Sequence, residues 1–330
     1  MFEFVVFSLG ASLVFYTLLG GADFGAGILE LFLRHPASAQ RKVISKAMGP
    51  VWEANHVWLI LGVVILFMGF PGAYSQLSIS FHLPLLFLLL GIVVRGCAFT
   101  FRYYDAFQDQ SQKYYTLLFA LSSVWSSFFI GVLAGGIFLS TKVSAGQGST
   151  YREYFIDPWA NRFCLSSGIF VCALHAFLAS VYLIGETKDP ELKRIFSGKA
   201  KVANIASVFA GGLVFLSGEL SAAHLLQSFF ERPLSLACMA FATLLLIPLW
   251  KSLESNQIVT SRVVAVSQVS FILLGWYAVQ YPKIIGPLTF DGASAPSATL
   301  RALGYALIFG YLVVLPSFFY LLKVFKRTTL

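Results

Sequence analysis

Residues 77–100, LSISFHLPLLFLLLGIVVRGCAFT, carry one formal charge, Arg95. An α-helix needs about 20 mainly apolar residues to cross the hydrocarbon core of a bilayer, and this stretch satisfies that rule. The pattern recurs. Nine such runs cover roughly 3–33, 51–70, 77–100, 116–140, 163–184, 202–225, 234–250, 263–280 and 300–322. The chain is 58% hydrophobic and 12% charged, with a mean hydropathy of +0.78, whereas a soluble domain carries about 25% charged residues. The expected fold is an all-α polytopic membrane protein of about nine transmembrane helices, occupying 1–330 as one membrane domain. The first run is longer than one straight span, so Gly20, Gly21 and Asp23 mark either a kink or a helix that projects beyond the bilayer.

The net charge of +8 would suit a nucleic-acid partner if the basic residues were clustered for one, but they follow the loops. Arg34, Arg41, Lys42 and Lys46 come after the first run, and Arg102 and Lys113 after the third. Lys188, Lys193, Arg194, Lys199 and Lys201 come after the fifth run, Lys251 and Arg262 after the seventh, and Lys323, Lys326 and Arg327 in the tail. The opposite side has only Lys142, Arg152, Arg162, Arg232, Lys283 and Arg301. Excess Lys and Arg mark cytoplasmic loops. This predicts an external N-terminus, a cytoplasmic C-terminus and no nucleic-acid partner. Met1 leads into an apolar run without a basic n-region, so no cleavable signal peptide is expected. Cys97, Cys164, Cys172 and Cys238 form no metal or redox spacing and are expected to be inert.

Ionisable groups at membrane depth are costly and mark functional sites by default. Asp23 and Glu30 are seven residues apart, which puts them about 20° apart in azimuth and about 10 Å apart along a helix. Gly21 and Gly25 beside Asp23 have the spacing that lets another helix approach closely. Asp23 is therefore either a fixed acceptor for a neighbouring helix or part of a proton relay. In the second run, taking Trp52 as 0°, Glu53 falls at about 100°, His56 at about 40° and Asn55 at about 300°, with Trp58 at the border. This arc of about 160° suggests a hydrated notch facing protein, in which Glu53 and His56 exchange protons. The alternative is an interfacial Trp belt with a helix-start acid. Arg95 and Arg102 are counter-charges for Asp23, Glu30 or Glu53, and Arg102 also has the option of reaching toward headgroups. His82, His175 and His224 form no haem-binding pair by spacing. His175 is expected to bond a neighbouring helix. No metal cluster, phosphate loop or nucleophile elbow is present. A proton-coupled membrane transporter would also account for buried acids and Gly-interrupted helices.

Gly21-Ala22-Asp23-Phe24-Gly25-Ala26-Gly27, followed by Gly49-Pro50-Val51-Trp52-Glu53-Ala54-Asn55-His56-Val57-Trp58-Leu59, resembles subunit II of the cytochrome bd quinol oxidases. That family usually reads G-F-D-x-G-x-G and then G-P-x-W-D-G-N-[EQ]-V-W-L. Phe70-Pro71-Gly72 and the segment from Arg95 to Arg102 fit as well. The resemblance implies two four-helix bundles, about 1–140 and 163–280, with a peripheral helix at about 300–322. It also implies a multi-pass subunit in a bacterial cytoplasmic (inner) membrane that binds no haem itself. Haem b with haem d, or haem b alone, would sit in a partner, the haem-bearing subunit I. Electrons pass from ubiquinol or menaquinol to oxygen, with protons drawn from the cytoplasm. The family further suggests a small single-helix accessory subunit, lipid contacts and, in some members, a structural quinone or an oxygen route.

Matched position by position, the implied proton path comprises Asp23, Glu53, Asn55, His56 and Glu30. Arg95 and Arg102 would be charge partners, and Trp52, Trp58, Gly21 and Gly25 would pack the site. Glu53 replaces an aspartate, Ala54 a glycine, and His56 the usual Glu or Gln. Thr100 stands where the family has a carboxylate near the proton entrance, so Asp105 or water would substitute there and His56 would serve as an added carrier.

Overall fold

The computed structural model describes residues 1–33, 36–49, 52–104, 111–142, 150–221 and 223–327. The chain begins with α1 (Phe2–Phe15), a π-helical turn (Tyr16–Gly20), α2 (Gly21–Glu30), α3 (Ala37–Met48), α4 (Trp52–Gly69), α5 (Pro71–Ser80), α6 (His82–Tyr104) and α7 (Ser111–Lys142). It continues with α8 (Tyr151–Phe155), α9 (Arg162–Ile184), α10 (Pro190–Glu219), α11 (Leu225–Phe230), α12 (Pro233–Leu244), α13 (Leu246–Glu254) and α14 (Ile258–Gln280). A hairpin of β1 (Lys283–Ile285) and β2 (Leu288–Thr289) precedes α15 (Ser297–Arg327). Among the described residues, nine helices are long and apolar enough to cross a membrane; α1 with α2, and α12 with α13, each count as one span.

Local chemistry explains the breaks. The Gly21 N–H bonds to the Tyr16 carbonyl, five residues back, so the expected irregularity in the first span is a π turn and the helix continues through it. π turns of this kind shift side-chain register and occur often at functional sites. The seventh span breaks at Leu245 because Pro248 has no N–H and its ring crowds the carbonyl of Leu244. The sixth span starts at Pro190, well before the expected residue 202. Asp189 caps it by accepting from the Glu191 N–H at 2.9 Å, and Pro190 takes the first helical position. Its first turns carry Lys193, Arg194, Lys199 and Lys201, so hydropathy alone hid them.

The first span packs against α4, α7, α9 and α15, and the strongest pairings run between α9 and α10 and between α6 and α7. Small residues make these contacts close. Ser122, Ser123, Ser126 and Ser127 of α7 and Ser166, Ser167 and Ser180 of α9 are all buried. At Gly25 a Cβ would run into the His175 carbonyl, and at Gly21 it would lie 2.6 Å from the His175 Cδ2. Both glycines therefore set how near the first span comes to α9. At the end remote from the basic loops, the hairpin ties the bundle together. Lys283 Nζ donates to the Thr141 carbonyl at 2.8 Å, the Gly286 N–H to Ser140 Oγ at 3.0 Å, and the Ala295 N–H to the Gly69 carbonyl at 2.8 Å.

Candidate functional site

Two polar centres lie on the first span, seven residues apart as the sequence spacing requires. The inner centre is built on Asp23, which is 7% exposed, and Asn55 of α4, which is 4% exposed. Asn55 Nδ2 donates a short hydrogen bond to Asp23 Oδ2 and lies 3.5 Å from the Leu19 carbonyl. Asn55 therefore clamps α4 to the stretch where the π turn re-enters the α-helix. Arg95 of α6, 1% exposed, is also buried near this centre. Among the described residues Arg95 and Asp23 close no ion pair. Arg95 Nε instead donates to Ser123 Oγ at 3.2 Å, and its Nη2 is buried without a hydrogen-bond partner. The guanidinium lies over Phe24 at 4.8 Å and Phe119 at 5.1 Å.

The outer centre is an ion pair. Arg102 Nη1 donates to both Glu30 oxygens, at 2.9 and 2.8 Å. The Glu30 side chain is fully buried and that of Arg102 is 7% exposed. Arg102 thus points into the bundle against Glu30, and the expectation that it extends to headgroups does not hold. Ser45 of α3 accepts from Arg102 Nη2 at 3.4 Å, and Arg41 Nε lies 3.9 Å from Glu30 Oε2. Phe119 sits beneath both guanidiniums, 4.5 Å from that of Arg102. One aromatic face therefore links the two centres. Glu30 also lines a cavity of about 760 Å³ at this end of the bundle.

His56 stands half-buried in an aromatic cage, 6.0 Å from Tyr16, 6.1 Å from Phe24 and 6.3 Å from Trp52 between ring centres. Its Nδ1 and the Tyr16 hydroxyl are both buried without hydrogen-bond partners. Glu53 lies on the side of α4 away from Asn55. It is exposed and among the described residues makes no hydrogen bond or ion pair. The expected single notch is thus split, because Glu53 and Asn55 lie about 160° apart on the helix and one neighbouring helix cannot cover both. Trp58 is buried, with its ring 4.6 Å from Phe15. Trp52 packs on Phe99 at 5.5 Å. Asp105, Arg34, Pro50 and Val51 lie outside the described residues.

His175 bonds Ser127 through Nδ1 at 2.9 Å and stacks on Phe24. Its Nε2 faces Gly21 so closely that a Cβ there would lie 2.8 Å from it. Glu219 accepts from the Leu226 N–H at 2.6 Å and stabilises a loop. Among the described residues no group of three or more His, Cys, Asp or Glu could hold a metal ion. Sequence reasoning missed Ser123, Phe119, Tyr16, Arg41 and Ser45. Only Phe119 and Ser123 carried a signal, since their i, i+4 spacing puts both on one face of α7.

Residues 1–325 match the family described as cytochrome bd terminal oxidase subunit II. Cytochrome bd ubiquinol oxidase subunit 2 of Bacillus subtilis is 38% identical over 87 residues, which is 26% of this chain and 25% of that relative. Cytochrome bd-I ubiquinol oxidase subunit 2 of Escherichia coli K12 is 28% identical over 94 residues, 28% of this chain and 24% of that protein. The chain thus spans about a quarter of the length of these relatives. A putative cytochrome bd menaquinol oxidase subunit II of Bacillus subtilis is 24% identical across 94% of this chain and 92% of its own length. A chain of the bd oxidase from Geobacillus thermodenitrificans shares the fold, with a TM-score of 0.76 and 18% identity over 98% of both chains. With a family match running almost from end to end and that fold alongside it, the chain belongs to the cytochrome bd terminal oxidase subunit II family.

Proposed function

We propose that this chain is the haem-free subunit II of a quinol:oxygen oxidoreductase, that it supports a haem-bearing subunit I, and that it carries protons from the cytoplasm toward that partner. The basic end faces the cytoplasm in this reading, so the N-terminus lies outside and the C-terminus inside. Spans one to four and five to eight form its two bundles, with α15 peripheral. The observation that carries the reading is the buried Asp23–Asn55 pair beside an Arg95 that closes no ion pair with Asp23. A buried acid fully neutralised by a salt bridge holds its charge firmly, whereas one bonded to an amide near a partly satisfied cation can gain and lose a proton at smaller cost.

Protons enter by the cavity at the basic end, where Glu30, held ionised by Arg102 and Arg41, draws them in without giving up its charge. Asp23, about 10 Å further along the helix, receives them by way of water. His56 is the second carrier, held by Tyr16, Phe24 and Trp52. Glu53 lies on the outward face and serves the path where this chain meets its partner. The test is quinol-driven oxygen consumption by the complex carrying Asp23→Asn, with haem content read from its optical spectrum. Turnover is expected to fall by about 100-fold, the scale of a lost proton transfer, with haem retained. Unchanged turnover at normal haem content would overturn the reading. His56→Gln, measured the same way, separates the second carrier from packing.

A further inference from the structure

The proton path uses only one wall of the 760 Å³ cavity at the basic end. The cavity lies between α2, α3, α6 and α7, and among the described residues its charged lining consists of Glu30, Arg41, Arg102 and Lys113. Arg102 and Glu30 neutralise each other at 2.8 Å. Among the described residues one acid thus faces three cations, a net charge of +2. Arg41 makes only a long ion pair with Glu30, at 3.9 Å through Nε, and its side chain is 43% exposed. Lys113 is exposed. Ser45 and Thr116 add hydroxyls to the wall. From the rim outward the surface changes character: Leu117, which lines the cavity, and Leu118 and Leu121 of α7 are 50%, 46% and 51% exposed and form one apolar strip running toward the middle of the span.

A ligand that matches this surface is negative at one end and apolar at the other. The cavity lies at the end of the spanning segments, at headgroup height. Basic pockets between spanning helices at that depth suit anionic headgroups, and a partly exposed Arg guanidinium suits phosphate oxygens. We infer that the cavity holds the phosphate headgroup of an anionic glycerophospholipid, with its acyl chains along Leu117, Leu118 and Leu121. A zwitterionic lipid would bring a cation against Lys113. Free phosphate would leave the leucine strip uncovered.

Titrating the purified, delipidated complex with short-chain phosphatidylglycerol, read by native mass spectrometry, tests the site. In the Arg41→Gln/Lys113→Gln double variant, affinity is expected to fall about 30-fold, from about 1 kcal/mol per basic residue. A Lys193→Gln/Lys251→Gln control at the same end should bind as wild type does. Short-chain phosphatidylcholine should bind no better to wild type than to the double variant. Equal phosphatidylglycerol affinity in wild type and double variant would overturn the inference, as would a matching loss in the control. Displacement of the lipid by millimolar inorganic phosphate would show a free-anion site and overturn the lipid assignment.

Discussion

Glu30 and Arg102 are buried together, and each stands in the other's field at 2.8 Å. Replacing a buried pair by apolar groups is often close to neutral, whereas removing one member strands a charge and costs about 3–5 kcal/mol. Arg102→Leu should therefore lower the thermal midpoint sharply, and adding Glu30→Gln should recover most of the loss. Fluorescence-detected unfolding of the purified protein checks it; a double variant no more stable than Arg102→Leu would mean that the loss arises from packing on Phe119. The acids and cations of this site were legible in the sequence because charge is scarce in a chain of this composition. Their pairing was not. Spacing left Arg95 and Arg102 as partners for any of three acids, and the choice depends on Ser123 and Phe119, which bring Arg95 away from a direct bond with Asp23.

The first span is where element and site meet. Gly21 and Gly25 bring it against α9, and the π turn at Tyr16–Gly20 sets the register that turns Asp23 toward Asn55. Adding a methyl group at Gly25 drives it into the His175 carbonyl, and overpacking of this kind costs about 1–3 kcal/mol. Gly25→Ala should lower the thermal midpoint, while Gly10→Ala, with nothing within 4 Å of the added carbon, should leave it unchanged or raise it slightly through helix propensity. Equal midpoints in the two variants would mean that the helices separate to accept the methyl. The spanning helices could be read from hydropathy because lipid demands long apolar runs. The amphipathic α3, which supplies Arg41 and Ser45, lies between runs and was invisible to that test. The hairpin at Lys283–Thr289 was hidden for a related reason: its strands are three and two residues long and are held by contacts with α7 that are distant in sequence.

At the scale of the whole molecule, the outward faces bear on how the chain is used. Glu53 heads a stripe on α4 that continues through Val57, Ile60, Val64 and Phe67, which are 38%, 62%, 43% and 54% exposed. Steps of four and three residues keep all five on one side of the helix. Hydropathy recorded the helix but not which side the acid would take, because Glu53 and Asn55 are only two residues apart and face nearly opposite ways. On the proposed assembly this stripe meets the haem-bearing subunit, and Glu53 reaches the proton path from outside the chain. A carboxylate covered by protein is shielded from reagents that an uncovered one would meet. A Glu53→Cys variant, with the exposed Cys97 replaced by Ser, should react slowly with a membrane-impermeant maleimide in the intact complex and quickly in the subunit expressed alone. The Glu53→Gln complex should then lose turnover while keeping its haem spectrum. Equal labelling in both states, together with full Glu53→Gln turnover, would place the stripe against lipid and restrict the path to Glu30, Asp23, Asn55 and His56.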